Sequence, residues 1–129
     1  MKSICVFCGS NAGTNPEYAK AAKQLGHLLV EKDIRLIFGG GNVGLMGIIA
    51  DAVLERGGEA IGVIPHFLME KEVGHTGLTE MKMVDTMHQR KELMADLSDA
   101  FITMPGGIGT MEEFFEIFTW GNEGGIMNI

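Results

Sequence analysis

Thr103–Glu116, TMPGGIGTMEEFFE, decides how this chain is read. It continues a short apolar run, Ala100 to Met104, which predicts a buried strand stopped by Pro105. Gly106, Gly107 and Gly109 then form a turn with almost no side chains. Thr110 supplies an N-cap, and Met111, Phe114, Phe115 and Phe118 fall at i, i+3, i+4 and i+7 on one helix face. A glycine turn that opens a helix is an anion site, because unpaired backbone N–H groups point outward and the helix dipole adds positive charge. Glu112 and Glu113 occupy the first turn of that helix. Acids there also suit the dipole of an ordinary well-capped helix. Beside a phosphate they would repel it, so a functional reading needs a nearby cation, and Arg90 is the candidate.

The same strand–turn–helix order repeats upstream. Lys2 to Cys8, KSICVFC, predicts a central parallel strand. Gly9 to Gly13 is a polar turn, and Pro16 opens a helix that runs to about Lys32 with Tyr18, Ala22, Leu25, Leu28 and Leu29. Ile34 to Phe38 is a second strand, Gly39 to Gly44 a second glycine turn, and Leu45 to Arg56 a helix ended by Gly57-Gly58. Ala60 to Ile64 is a third strand, stopped by Pro65. His66 to Thr79 is less regular, with a short helix around Phe67 to Lys71. Met81 to Val84 is a weak fourth strand, and Thr86 to Leu97 a helix capped by Asp85 or Thr86. Ala100 to Met104 makes five strands. The alternation predicts an α/β fold, a Rossmann-like doubly wound parallel sheet with helices on both faces. In such sheets ligands bind beyond the carboxyl ends of the strands, where strand order reverses. All three glycine turns reach that edge, which makes Ser10, Gly40 and Gly41 candidate substrate contacts alongside Gly106 to Gly109.

The 129 residues suffice for a single domain, 1–129, read as nucleotide-binding. A net charge of −7 argues against a general nucleic-acid or anionic-membrane binder. A small anion remains admissible, since backbone dipoles and an arginine can hold it. Without a leader or a long apolar run, the chain reads as soluble and cytoplasmic. Cys5 and Cys8 have C-x-x-C spacing but lie in a predicted strand, and no second Cys/His pair has zinc spacing. They read as buried thiols, with no metal site.

Gly39-x-Gly41-x-x-Gly44 follows a strand and opens a helix, as a dinucleotide fingerprint does. The acid expected some 20 residues on would be Glu59, which begins its strand at the wrong edge of the sheet. A mononucleotide or sugar phosphate fits better than NAD. No Walker-type lysine follows any glycine turn. On the helix from Thr86, the residues Met87, Arg90, Met94 and Leu97 share one face, apolar except for Arg90. An inward arginine needs an acid or an anion, and spacing alone does not separate a structural ion pair from a ligand contact. Lys91 points more toward water. His27 and His75 read as surface residues, while His66 and His88 lie near candidate loops. Glu72 sits where a site lid could form.

Pro105–Glu113 (P-G-G-x-G-T-x-x-E), Gly39–Gly47 (G-G-G-x-x-G-L-M-G) and Met87–Lys91 (M-H-x-R-K) together resemble the LONELY GUY family of nucleoside 5′-monophosphate phosphoribohydrolases, whose members also carry the label "lysine decarboxylase-like". The resemblance runs from Lys2 to about Trp120. It implies a Rossmann-like fold, a homodimer, and a role in cytokinin biosynthesis. The implied reaction is hydrolysis of a nucleoside 5′-monophosphate, AMP or a cytokinin riboside monophosphate, to free base and ribose 5-phosphate. Carried over by motif, Arg90 and Glu113 are the catalytic pair. Glu72, Lys91, Gly106, Gly107, Ile108, Gly109, Thr110, Met111, Glu112 and Thr119 are nucleotide-binding. After Trp120 the tail, Gly121 to Ile129, does not resemble the family, so its C-terminal strand and helix are expected to be missing and one sheet edge uncovered.

This chemistry suits the residues. Breaking an N-glycosidic bond develops positive charge on the ribose, and a carboxylate beside that carbon stabilises it or activates water. No metal or organic cofactor is needed, and Lys91 is not in a setting that suggests a Schiff base, which argues against lysine decarboxylation. The alternative is a non-catalytic nucleotide carrier or sensor of the same fold, which would have no use for a carboxylate beside the sugar carbon.

Overall fold

The first strand already divides the molecule into two layers. The computed structural model describes residues 2–8 and 16–104 and, for the backbone alone, 125–128. β1 (Lys2–Phe7) sends Ile4 and Val6 into one apolar cluster and Cys5 and Phe7 into another. That period-two alternation marks a strand buried on both faces. The chain continues through α1 (Pro16–Glu31), β2 (Ile34–Phe38), α2 (Gly44–Glu55), β3 (Ala60–Pro65), a 3-10 turn (His66–Leu68), β4 (Glu80–Val84), α3 (Met87–Leu97), β5 (Ala100–Thr103) and β6 (Gly125–Asn128).

The five expected strands form, all parallel, in a sheet ordered β4-β3-β2-β1-β5-β6. The sixth strand corrects one expectation. β6 pairs with β5 from Ala100↔Gly125 to Thr103↔Asn128, so the tail covers the β5 edge that was expected to stay open. Ile126 and Met127 are too short an apolar run to announce a strand by periodicity. A second expectation shifts in detail, since the short helix expected at Phe67–Lys71 is a 3-10 turn at His66–Leu68.

Strand order explains where the helices lie. Passing from β1 to β2 to β3 in one direction, with right-handed crossovers, puts α1 and α2 on the same face. Leu25 and Leu29 of α1 and Leu45, Ile49 and Val53 of α2 fill the first cluster there. A Cβ on Gly26 would lie 2.7 Å from the Cβ of Ala52, so glycine lets the two helices approach closely. From β4 the chain returns across the sheet to β5, and α3 covers the opposite face, adding Met94 to the second cluster. Phe7 and Phe101 stack there with ring centroids 6.3 Å apart.

The order reverses at β1, which has β2 on one side and β5 on the other. Phe7 and Thr103 are register partners at the carboxyl ends of β1 and β5. From that switch point the chain leaves into residues 9–15 and 105–124, outside the described residues.

Candidate functional site

A capping box fixes the start of α3. Thr86 accepts a hydrogen bond from the Gln89 N–H at 3.0 Å, and the Gln89 side chain accepts from the Thr86 N–H at 3.2 Å. Of the two caps expected, Thr86 is the one used. With the helix phase set, Arg90 points inward at the carboxyl edge and is only 3% exposed. Its Nε donates to Val63 O at 2.9 Å, and its Nη2 donates to Gly39 O at 2.6 Å and to Glu72 Oε1 at 2.8 Å. Nη1 faces Met87 Sδ at 3.9 Å. One guanidinium therefore joins α3, β3, the turn after β2 and the segment after β3. A buried charge needs such partners, and here the acid is Glu72. Of the two roles that spacing left open for Arg90, the ion pair is present.

The segment from His66 to Gly77 forms a strap over the second glycine turn. Asn42 N–H donates to both Glu72 O (3.0 Å) and Val73 O (2.8 Å), His75 N–H donates to Gly40 O (2.9 Å), and Gly41 and Gly74 form an antiparallel bridge. Close approach accounts for the glycines of the turn. A Cβ on Gly39 would collide with Arg90 Nη2, and one on Gly41 would meet Glu72 O at 2.9 Å. Gly40 adopts φ +82 and lies against Gly62, where a Cβ would come within 2.6 Å of Gly40 Cα. The fingerprint glycines thus serve packing of the chain on itself. Gly40 and Gly41, expected among the substrate contacts, lie buried beneath the strap. Val73, at φ 50 and half-exposed, is a β-branched residue in the left-handed region, a local strain of about 1–3 kcal/mol that its neighbours must hold.

Two histidines read as surface residues are bonded to acids of α2. His75 Nδ1 accepts from the Gly77 N–H at 2.9 Å, so its proton sits on Nε2, which donates to Asp51 Oδ1 of α2 at 2.7 Å. Its side chain is 9% exposed. His27 of α1 is bonded to Glu55 of α2. Their acids come from distant sequence, which no local pattern announces. His66 and His88 are exposed, near Asp85 and Glu92 respectively. Lys91 is half-buried on α3. Cys5 and Cys8 are buried thiols belonging to the clusters on opposite faces of the sheet. Among the described residues no group of three or more His, Cys, Asp or Glu side chains could hold a metal ion. The expectations for Ser10, Gly106, Gly107, Ile108, Gly109, Thr110, Met111, Glu112, Glu113 and Thr119 fall outside the described residues. Thr103 Oγ1, buried at the carboxyl end of β5, has no hydrogen-bond partner among the described residues, a position that sequence reasoning did not single out.

A doubly wound parallel sheet, with buried Arg90 and Thr103 at its carboxyl edge, defines a Rossmann-like α/β protein. A family model described as "Possible lysine decarboxylase" matches residues 46–126. A cytokinin riboside 5′-monophosphate phosphoribohydrolase of Rhodococcoides fascians is 50% identical over 124 residues, covering 95% of this chain and 63% of that protein. An Arabidopsis thaliana protein that bears the same enzyme name is 49% identical over 135 residues, covering 100% of this chain and 62% of its own length. The chain belongs to this family, the LONELY GUY phosphoribohydrolase family, and spans less than two thirds of the length of these two relatives. Among solved structures, the molybdenum cofactor carrier protein of Chlamydomonas reinhardtii matches with a TM-score of 0.82 at 20% identity, over 98% of this chain and 75% of that one. The molybdenum cofactor binding protein of Rippkaea orientalis matches at 0.79 and 23%, over 100% and 78%. These likenesses are of fold. No helix among the described residues is long and apolar enough to cross a membrane.

Proposed function

We propose that this chain is a nucleoside 5′-monophosphate phosphoribohydrolase acting on AMP or a cytokinin riboside monophosphate. The observation that carries the reading is identity at half of all positions to proteins of that name. The Arg90–Glu72 pair supports it, because it is buried at the carboxyl edge, where ligands bind in such folds. In the reaction, water adds to the ribose C1′ as the C1′–N bond breaks. The base leaves with a proton, and ribose 5-phosphate is the second product. By motif, Glu113 takes the proton from water or stabilises the developing oxocarbenium charge, and Arg90 orients the acids around it. The turn from Gly106 to Thr110 takes the phosphate, with Ser10, Lys91, Met111, Glu112 and Thr119 as further contacts. The residues ask for no cofactor, and the reading sets aside decarboxylation despite the family's printed description. A single domain acting in the cytoplasm as a homodimer completes the proposal.

The test is a screen of nucleoside monophosphates for free-base release. AMP should be cleaved and adenosine should bind much more weakly. Glu113→Gln should slow release about a hundredfold while AMP binding persists. Equal affinity for AMP and adenosine by calorimetry would sink the phosphate site, and tight AMP binding without turnover would point to a carrier.

A further inference from the structure

We infer that His75 is a positioning residue, the latch that holds the strap so that Glu72 meets Arg90. The inference rests on the proposed hydrolase reading, but its geometry lies wholly within the described residues. His75 is tied at three points to three different places. Its N–H donates to Gly40 O, its Nδ1 accepts from the Gly77 N–H, and its Nε2 donates to Asp51 Oδ1. The first bond fixes the strap to the second glycine turn, the second folds the strap back on itself, and the third anchors it to α2. Asp51 lies two turns into α2, a rigid element packed against the first cluster.

The strap needs an external anchor. It contains no strand and only one 3-10 turn, and it carries Val73 in the left-handed region. A strained backbone persists only where its surroundings over-determine it. Glu72 immediately precedes Val73, so the conformation that the latch enforces at Val73 is the one that aims Glu72 at Arg90. Glu72 in turn leaves Arg90 with its other bonds to Val63 O and Gly39 O, and so in one fixed orientation. A carboxylate and an arginine displaced by about 1 Å can cost as much as a hundredfold in rate. His75 would therefore act on the site through Glu72, without touching substrate.

The experiment compares His75→Ala, His75→Gln, Asp51→Asn and Glu72→Gln, singly and as the His75→Ala/Glu72→Gln pair, in the 129-residue chain. His75→Ala should lower kcat for base release by about tenfold or more. Asp51→Asn, a change on an exposed helix surface that leaves the fold intact, should give a smaller loss in the same direction. His75→Gln, which keeps a donor toward Asp51, should recover part of the rate. The double variant should be no slower than Glu72→Gln alone. Amide exchange at Asn42, whose N–H is held by the strap, should speed up in Asp51→Asn and His75→Ala. Multiplied losses in the double variant, or unchanged Asn42 protection in both single variants, would overturn the latch. If the wild-type chain cleaves no monophosphate, the hydrolase reading fails, and exchange at Asn42 still decides the latch either way.

Discussion

The two edges of the sheet use the same residue types for opposite ends. At the carboxyl edge, Arg90, Glu72 and His75 converge from α3 and the strap onto one turn, and the glycines there are required by close contacts. At the amino edge the polar links are more exposed, and Arg35 donates to Ser3 Oγ at 3.4 Å. Asp99 accepts from the Ser3 N–H at 2.9 Å, Arg35 lies 3.6 Å from Glu59, and His27 meets Glu55 between α1 and α2. Gly57 there has φ +77 with open space around it, so it serves only to turn the chain. One edge gathers its charges on a single buried guanidinium, whereas the other strings partly exposed contacts along its rim. Tightly coupled groups fail together, and weakly coupled ones come closer to failing singly.

Removing the hub breaks the comparison hardest. Arg90→Ala leaves Glu72 and two carbonyls without their buried partner, which should cost about 3–5 kcal/mol of stability and abolish base release. Urea unfolding and a base-release assay check this. A wild-type urea midpoint would mean that the carboxyl edge does not depend on its arginine.

A matched glycine pair sharpens the contrast. Gly39→Ala pushes a methyl into Arg90 and should cost about 1–3 kcal/mol with a clear fall in activity. Gly57→Ala meets nothing and should cost about 1 kcal/mol through its backbone alone, with activity unchanged. Thermal melts with parallel assays would show it, and equal activity losses would erase the distinction between the edges.

The smallest effect belongs to Glu55. Its carboxyl pKa is lowered, first by the His27 hydrogen bond and against some desolvation, with Lys23, His27 and Arg56 adding to the lowering. The unfolded chain thus binds that proton more tightly than the folded one. The contribution is complete above the unfolded carboxylate's pKa and is lost as pH falls through the lower folded value. The wild-type advantage over Glu55→Gln should be slight at neutral pH, where the pair is exposed, and vanish in acid. Paired urea titrations at neutral and acid pH measure it, and an advantage that grows as pH falls would contradict the sign.

These regions also mark how far the sequence could be read. Strand–glycine–helix order is a local pattern, so the doubly wound sheet was legible, and so was Arg90 as the one charge on an apolar helix face. Its partner was not. Glu72 reaches Arg90 from an irregular segment with no periodicity to fix its direction. His75 needed Asp51, 24 residues away, to become more than a surface histidine. β6 escaped because two apolar residues make no period, and because its pairing depends on β5 already standing there.

The placement of β1 also bears on how the chain is made. β1 leaves the ribosome ahead of both its sheet neighbours and is the fourth strand in the sheet, and one of those neighbours, β2, follows within about 30 residues. Its other neighbour, β5, begins at Ala100, and the reciprocal bonds between Ser3 and Asp99 close a separation of 96 residues. Until then one edge of the central strand offers a row of unpaired backbone groups. During synthesis that edge is a template for pairing with another nascent chain. Joining the two halves is the long-range step that sets the pace of folding.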